Sequence, residues 1–314
     1  MTGTGKSWLI GLAVVVLNCA PLAQAQKRKP PRAKPPTFSE ADFDSVFFKD
    51  PKGTLKGELP TSKVSNSVAQ KPLDTQAGDT SSNDPMAWQN LVSPESLEDL
   101  IKGTKLRLDR IITTPAAFSG GGFVEARKEF SLLAVLFAII EDYPKEVRWK
   151  DSSPYARELM ARMAANAKVG SIQTYNEAKK RMLDLRDLLN GSKLAGEAKS
   201  ETDWSNLMDR SPLMQLLKWG QQDFINKQVA SESAFKSNAS ELKGYAEMVA
   251  VLGKISLQED MPDATDDDYK GFAEDMIKQA RQIAFAVDSE DAELARSAAG
   301  KLGQSCSNCH DNFR

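Results

Sequence analysis

Near its end the chain reads CSNCHDNFR, in which Cys306, Cys309 and His310 have the C-x-x-C-H spacing of covalent haem attachment. On a helix, two thiols three residues apart share one face, so each can add to a porphyrin vinyl group. The adjoining imidazole then projects beneath the ring plane, where its nitrogen can bind iron as the proximal ligand. Two other chemistries use a C-x-x-C pair. A dithiol redox centre wants a βαβ setting, and a zinc site wants two further ligands. The sequence offers neither: His310 is its only histidine and Cys19 its only other cysteine.

Cys19 falls in an expected secretory leader, residues 1–25. Lys6 supplies the positive start, Leu9 to Leu17 the apolar stretch, and Ala23-Gln24-Ala25 the small-x-small cleavage pattern. Leu17 and Asn18 stand before Cys19 where a lipid-attachment motif wants small residues, which argues against lipidation. A mature chain starting at Gln26 would keep two thiols, both used by one haem c. The apolar run Leu132 to Ile140, flanked by Glu129 and Glu141, is too short to cross a bilayer. A net charge of −2 points to neither nucleic acid nor a membrane surface as partner. A soluble, periplasmic protein with no membrane span is expected.

The elements that must position the motif are helical. Residues 26–90 read as a disordered linker, beginning with the proline-rich run 26–36 with its five basic side chains. Within it, Phe38, Phe43, Phe47 and Phe48 could share one face of a short docking helix. Helical periodicity then takes over. Ser93-Pro94 caps a stripe of Leu97, Leu100, Ile101, Leu108 and Ile111. A second stripe carries Phe130, Leu133, Phe137 and Ile140, and a third runs from about Pro154 through Leu159 and Met163. A fourth covers Tyr175 to Leu189 and stops at Asn190-Gly191.

The plan repeats. Ser211-Pro212 opens a stripe with Leu213, Leu216, Leu217 and Phe224, and Leu242, Tyr245, Val249 and Leu252 follow. Phe272, Met276, Ile277, Ala280 and Ile283 form the third stripe. Ala295, Ala298, Leu302, Cys306 and Cys309 carry the fourth into the motif. Leu97 pairs with Leu213, Glu129 with Glu241, Phe137 with Val249, Tyr155 with Tyr269, and Leu188 with Leu302, which suggests an internal duplication. The fold class expected is all-α: two tandem four-helix bundles, a haem-less one over 91–198 and a haem domain over 199–314. Where the second has its motif the first has Ser192, Ala195 and Gly196, and Phe123, Phe130 and Phe137 are the expected fillers of its interior.

C-x-x-C-H followed by Phe313 and Arg314, on the last helix of a bundle, resembles the class II cytochromes c, the cytochrome c-prime family. The resemblance covers about residues 205–314. It implies an antiparallel four-helix bundle with covalent haem at Cys306 and Cys309, His310 as proximal ligand and Arg314 near the proximal side. In that family an arginine on the first helix precedes by four residues the side chain over the distal face, apolar in five-coordinate members and methionine in low-spin ones. Arg210 and Met214 look like this pair. Pro212 departs from the pattern by placing Met214 in the first turn, and Met208 is the alternative ligand. Leu213, Leu217 and Trp219 are the further distal-wall residues expected. Methionine ligation suits one-electron transfer to a periplasmic redox partner; a vacant sixth position would instead bind NO or CO. The tail and the haem-less copy could also dock such a partner within an envelope assembly. Peroxidase-type turnover wants a distal acid–base group, and no second histidine exists to supply it, so an enzyme is not expected. Related bundles pair through their first two helices. That leaves room for a homodimer, or for the haem-less copy to take that face within one chain.

Overall fold

The computed structural model describes residues 84–198 and 201–313. The expected leader, the basic run 26–36, the aromatic segment 38–50 and Arg314 lie outside them. Among the described residues every regular element is helical. The first bundle is α1 (Pro94–Ile111), α2 (Phe123–Asp142), α3 (Ser153–Asn166) and α4 (Ile172–Leu189). The second is α5 (Arg210–Lys218, continued by a π turn, Trp219–Ile225), α6 (Ala239–Ile255), α7 (Asp267–Asp288) and α8 (Ala292–Asn312). In each, consecutive helices are neighbours and the fourth closes back on the first, in the second bundle through the π turn.

Local chemistry sets the helix starts. The Ser93 side chain accepts from the backbone N–H of Ser96, with Pro94 at the first helical position. Helix α5 begins earlier than Ser211-Pro212 suggests. Asp209 is its N-cap and Arg210 its first residue, with Pro212 inside the first turn, where its missing N–H costs no hydrogen bond. Asp209 stands to Leu213 as Ser93 stands to Leu97, although the Asp209 side chain caps no backbone N–H.

The bundles pack through their first two helices, α1 on α6 and α2 on α5. Consequently α2 and α6 are enclosed on all sides: Leu132 to Ile140 and Met248 to Leu252 are all buried. This explains runs too uniformly apolar for an ordinary surface helix. Polar contacts fix the register. The Ser93 N–H and hydroxyl both donate to Glu247 Oε2 at 3.0 Å. Arg107 Nε donates to the buried Glu129 at 2.9 Å, and its Nη1 to the Tyr245 hydroxyl at 3.3 Å. Arg127 pairs with Asp209.

The packed region begins before the linker boundary expected at residue 90. Trp88–Leu91 is a short helix, and the Trp88 ring lies 5.3 Å from that of Trp204, with Lys254 Nζ 3.6 Å from the Trp88 centroid.

Helix α4 ends at Leu189, so Ser192, Ala195 and Gly196 lie beyond it in irregular chain, whereas α8 runs on to Asn312. Gly196 has φ 148°, and a Cβ there would fall 2.4 Å from the Tyr155 ring. Phe130 and Phe137 are fully buried as expected of fillers, but Phe123 is only half-buried and Phe118 is the further enclosed ring.

Ser93→Ala removes the cap and one of Glu247's partners, and is expected to cost about 1–2 kcal/mol in chemical denaturation. The Tyr143 hydroxyl donates to the Val92 carbonyl at 2.8 Å. Burial, reinforced by Glu247 and Glu95, pushes its phenol up from 10.0 to about 12. A raised folded-state value means that its stabilisation is complete below pH 10.0 and is lost as pH climbs through about 12. Melting temperatures across that window should fall less steeply in Tyr143→Phe than in the wild type.

Candidate haem-binding site

Helix α8 descends on a face of small residues, with Ala295, Ala298, Ala299 and Leu302 buried, which brings it close against α7. Its last turns carry Cys306, Cys309 and His310 to the edge of a cavity of about 1010 Å³. That is at the upper end of ordinary ligand pockets, roughly 300–1,000 Å³. Three helices wall it. From α8 come Gly303, Cys306, Cys309 and His310; α7 gives Tyr269, Phe272, Ala273 and Met276; α5 with its π turn gives Arg210, Met214, Leu217 and Gln221. Phe313, just past α8, closes one side against Tyr269 and Phe272, at ring-centroid distances of 5.4 and 6.4 Å.

The residues present fit a large, flat, mostly apolar guest that needs two thiols and an imidazole. Cys306 and Cys309 are free and half-buried, and His310 is exposed at the rim. Burial pushes the Cys306 thiol up, with Cys309 adding to it. Burial also raises Cys309, reinforced by Asp263 and opposed by Arg210. A redox-active dithiol needs the opposite, a lowered thiol pKa. Among the described residues no group of three or more His, Cys, Asp or Glu side chains is placed to hold a metal ion. Raised thiols and the lack of further ligands among the described residues favour haem attachment over dithiol redox or zinc chemistry here.

Arg210, Met214 and Leu217 line the cavity with the motif. Arg210 is held by an ion pair to Asp263 and lies 5.9 Å from the Tyr269 ring centroid. The other expected wall residues lie elsewhere. Leu213 is buried but does not face the cavity; at about 100° per residue it falls past the edge of the arc that Arg210, Met214 and Leu217 span. Trp219 packs on Tyr245 at 4.9 Å, towards the other bundle. Met208 is fully buried and lines no part of the cavity, whereas Met276 does. Sequence reasoning placed Met276 and Phe272 in a core stripe, which a cofactor wall and a packed core share alike. Tyr269 was visible only as the partner of Tyr155, and Gln221 gave no signal.

Residues 213–314 match a family model described as Cytochrome C′, in agreement with the resemblance carried by the motif. No curated protein and no solved structure matches the chain. The match supports reading this region as a haem c-binding cytochrome domain, with haem c of the covalent kind. In the bare polypeptide, alkylation of Cys306 and Cys309 should show an apparent pKa above that of an exposed thiol, read from labelling rate against pH.

Proposed function

Taking as premise that residues 213–314 are of cytochrome C′ type, we propose that the protein is an exported cytochrome carrying one haem c and moving single electrons to and from a periplasmic redox partner. In this reading Cys306 and Cys309 hold the porphyrin by thioether bonds, His310 is the proximal ligand and Met214 the sixth. The observation that carries it is that Met214 lines the same cavity as Cys306, Cys309 and His310. The haem, when bound, supplies an iron that cycles between two oxidation states.

The chain's own residues would tune and shield that iron. Leu217, Phe272 and Met276 cover it with apolar surface and exclude water, which sets the potential. Arg210, anchored on Asp263, holds a cation at the Cys309 end of the cavity. A thioether from Met214 raises the potential and leaves no open position for chemistry on a bound substrate. The first bundle covers the α5–α6 face, which favours the reading in which the haem-less copy takes that face within one chain. A periplasmic location is supported by the leader pattern, and no described helix is long and apolar enough to cross a membrane.

Cys306→Ser with Cys309→Ser should abolish covalent haem, read from the intact mass. The wild-type spectrum should be low-spin and indifferent to carbon monoxide. Met214→Ala should turn it high-spin and carbon monoxide-reactive, with Met208→Ala silent. If the spin state ignores Met214→Ala but follows Met276→Ala, the ligand is Met276. A high-spin wild type that shifts with carbon monoxide would establish gas binding in place of electron transfer.

A further inference from the structure

The first helix of the second bundle does not run straight past the cavity. Its α-helical part ends at Lys218 and the π turn Trp219–Ile225 follows. Such a turn re-aims the side chains on it, and π turns are frequent at functional sites. Here it divides them between two surroundings. Trp219 and Phe224 pack on Tyr245, at 4.9 and 3.9 Å between ring centroids. Gln221 faces the cavity. It is only 7% exposed, and its amide has no hydrogen-bond partner among the described residues. A Cβ on Gly303 would come 3.2 Å from Gln221 Nε2, so the amide lies against α8 just before Cys306. The amide is open to the cavity rather than sealed in protein, so it is free to face what the cavity holds.

The π turn is gripped from the other bundle. Arg107 on α1 places its guanidinium 4.6 Å from the Trp219 ring centroid and is itself fixed by Glu129 at 2.9 Å. We propose that Gln221 is the polar group by which the cavity wall tunes its haem, and that Arg107, from the haem-less bundle, is the positioning residue that aims it through Trp219. The inference rests on the haem reading above. An amide dipole in an apolar site acts on the charge of the iron with little solvent screening, and so displaces its reduction potential. Arg210 lies by Cys309 and Gln221 by Gly303, so the two polar groups act at different ends of the cavity.

The test is the midpoint potential and spectrum of the haem-loaded full chain as wild type, Gln221→Leu, Trp219→Leu and the double variant. Each single substitution is expected to displace the potential, and the double no further than Gln221→Leu alone, because Trp219 acts through that amide. Arg107→Lys, which keeps a cation over the ring, should retain most of the wild-type potential, and Arg107→Met should shift it as Trp219→Leu does. A potential unmoved by Gln221→Leu, additive shifts in the double, or a Trp219→Leu chain that melts earlier with its potential in place would overturn the proposal. A wild-type chain whose intact mass shows no haem would overturn the haem reading, and this proposal with it.

Discussion

The structure depends on the burial of one bundle's first two helices against those of the other. Over Leu132 to Ile140 and Met248 to Leu252, α2 and α6 are apolar and show no face to water. Stacking α1 on α6 and α2 on α5 removes both from solvent at once. Once that contact is made, the polar groups trapped in it must be satisfied. Glu247 and Glu129 are satisfied by Ser93 and Arg107. The cavity lies on the far side of the second bundle, where α7 and α8 face α5, so the apolar contact and the cofactor site share α5 without competing for the same arc.

The same helical plan serves two purposes because of how its fourth helix ends. In the first bundle, α4 stops at Leu189 and the chain turns away through Gly191, leaving Tyr155 to lie on Gly196. In the second, α8 continues to Asn312 and carries two thiols and an imidazole over the cavity instead. Tyr269, the counterpart of Tyr155, then packs on Phe313 and becomes part of the wall.

The motif was legible in the sequence because its chemistry is local: three residues on one turn define it whatever surrounds them. The helices were legible from their periodic stripes, and Ser93 with Pro94 from its capping chemistry. The opposite wall was only half legible. Met214 was reached through the family resemblance, as the residue four after Arg210, and Leu217 as apolar cover, but Leu213 was misplaced because stripe spacing does not say where a cavity's arc stops. Trp219 and Gln221 were beyond reach, since the π turn that sends one outward and the other inward leaves no mark in the sequence. Met276 and Phe272 carry the signature of core residues because a cavity lining made for a hydrophobic guest is chemically a core.

The closure of Tyr155 over Gly196 bears on the order of assembly. In the first bundle Tyr155 fills from the chain itself the place that the second leaves open as a cavity, and amino-terminal domains generally fold first. On the haem reading, the other half would be completed only when its prosthetic group is attached. A half formed early would then present its side of the shared apolar face as a template, while the two sulfurs remain at an open mouth for their ring.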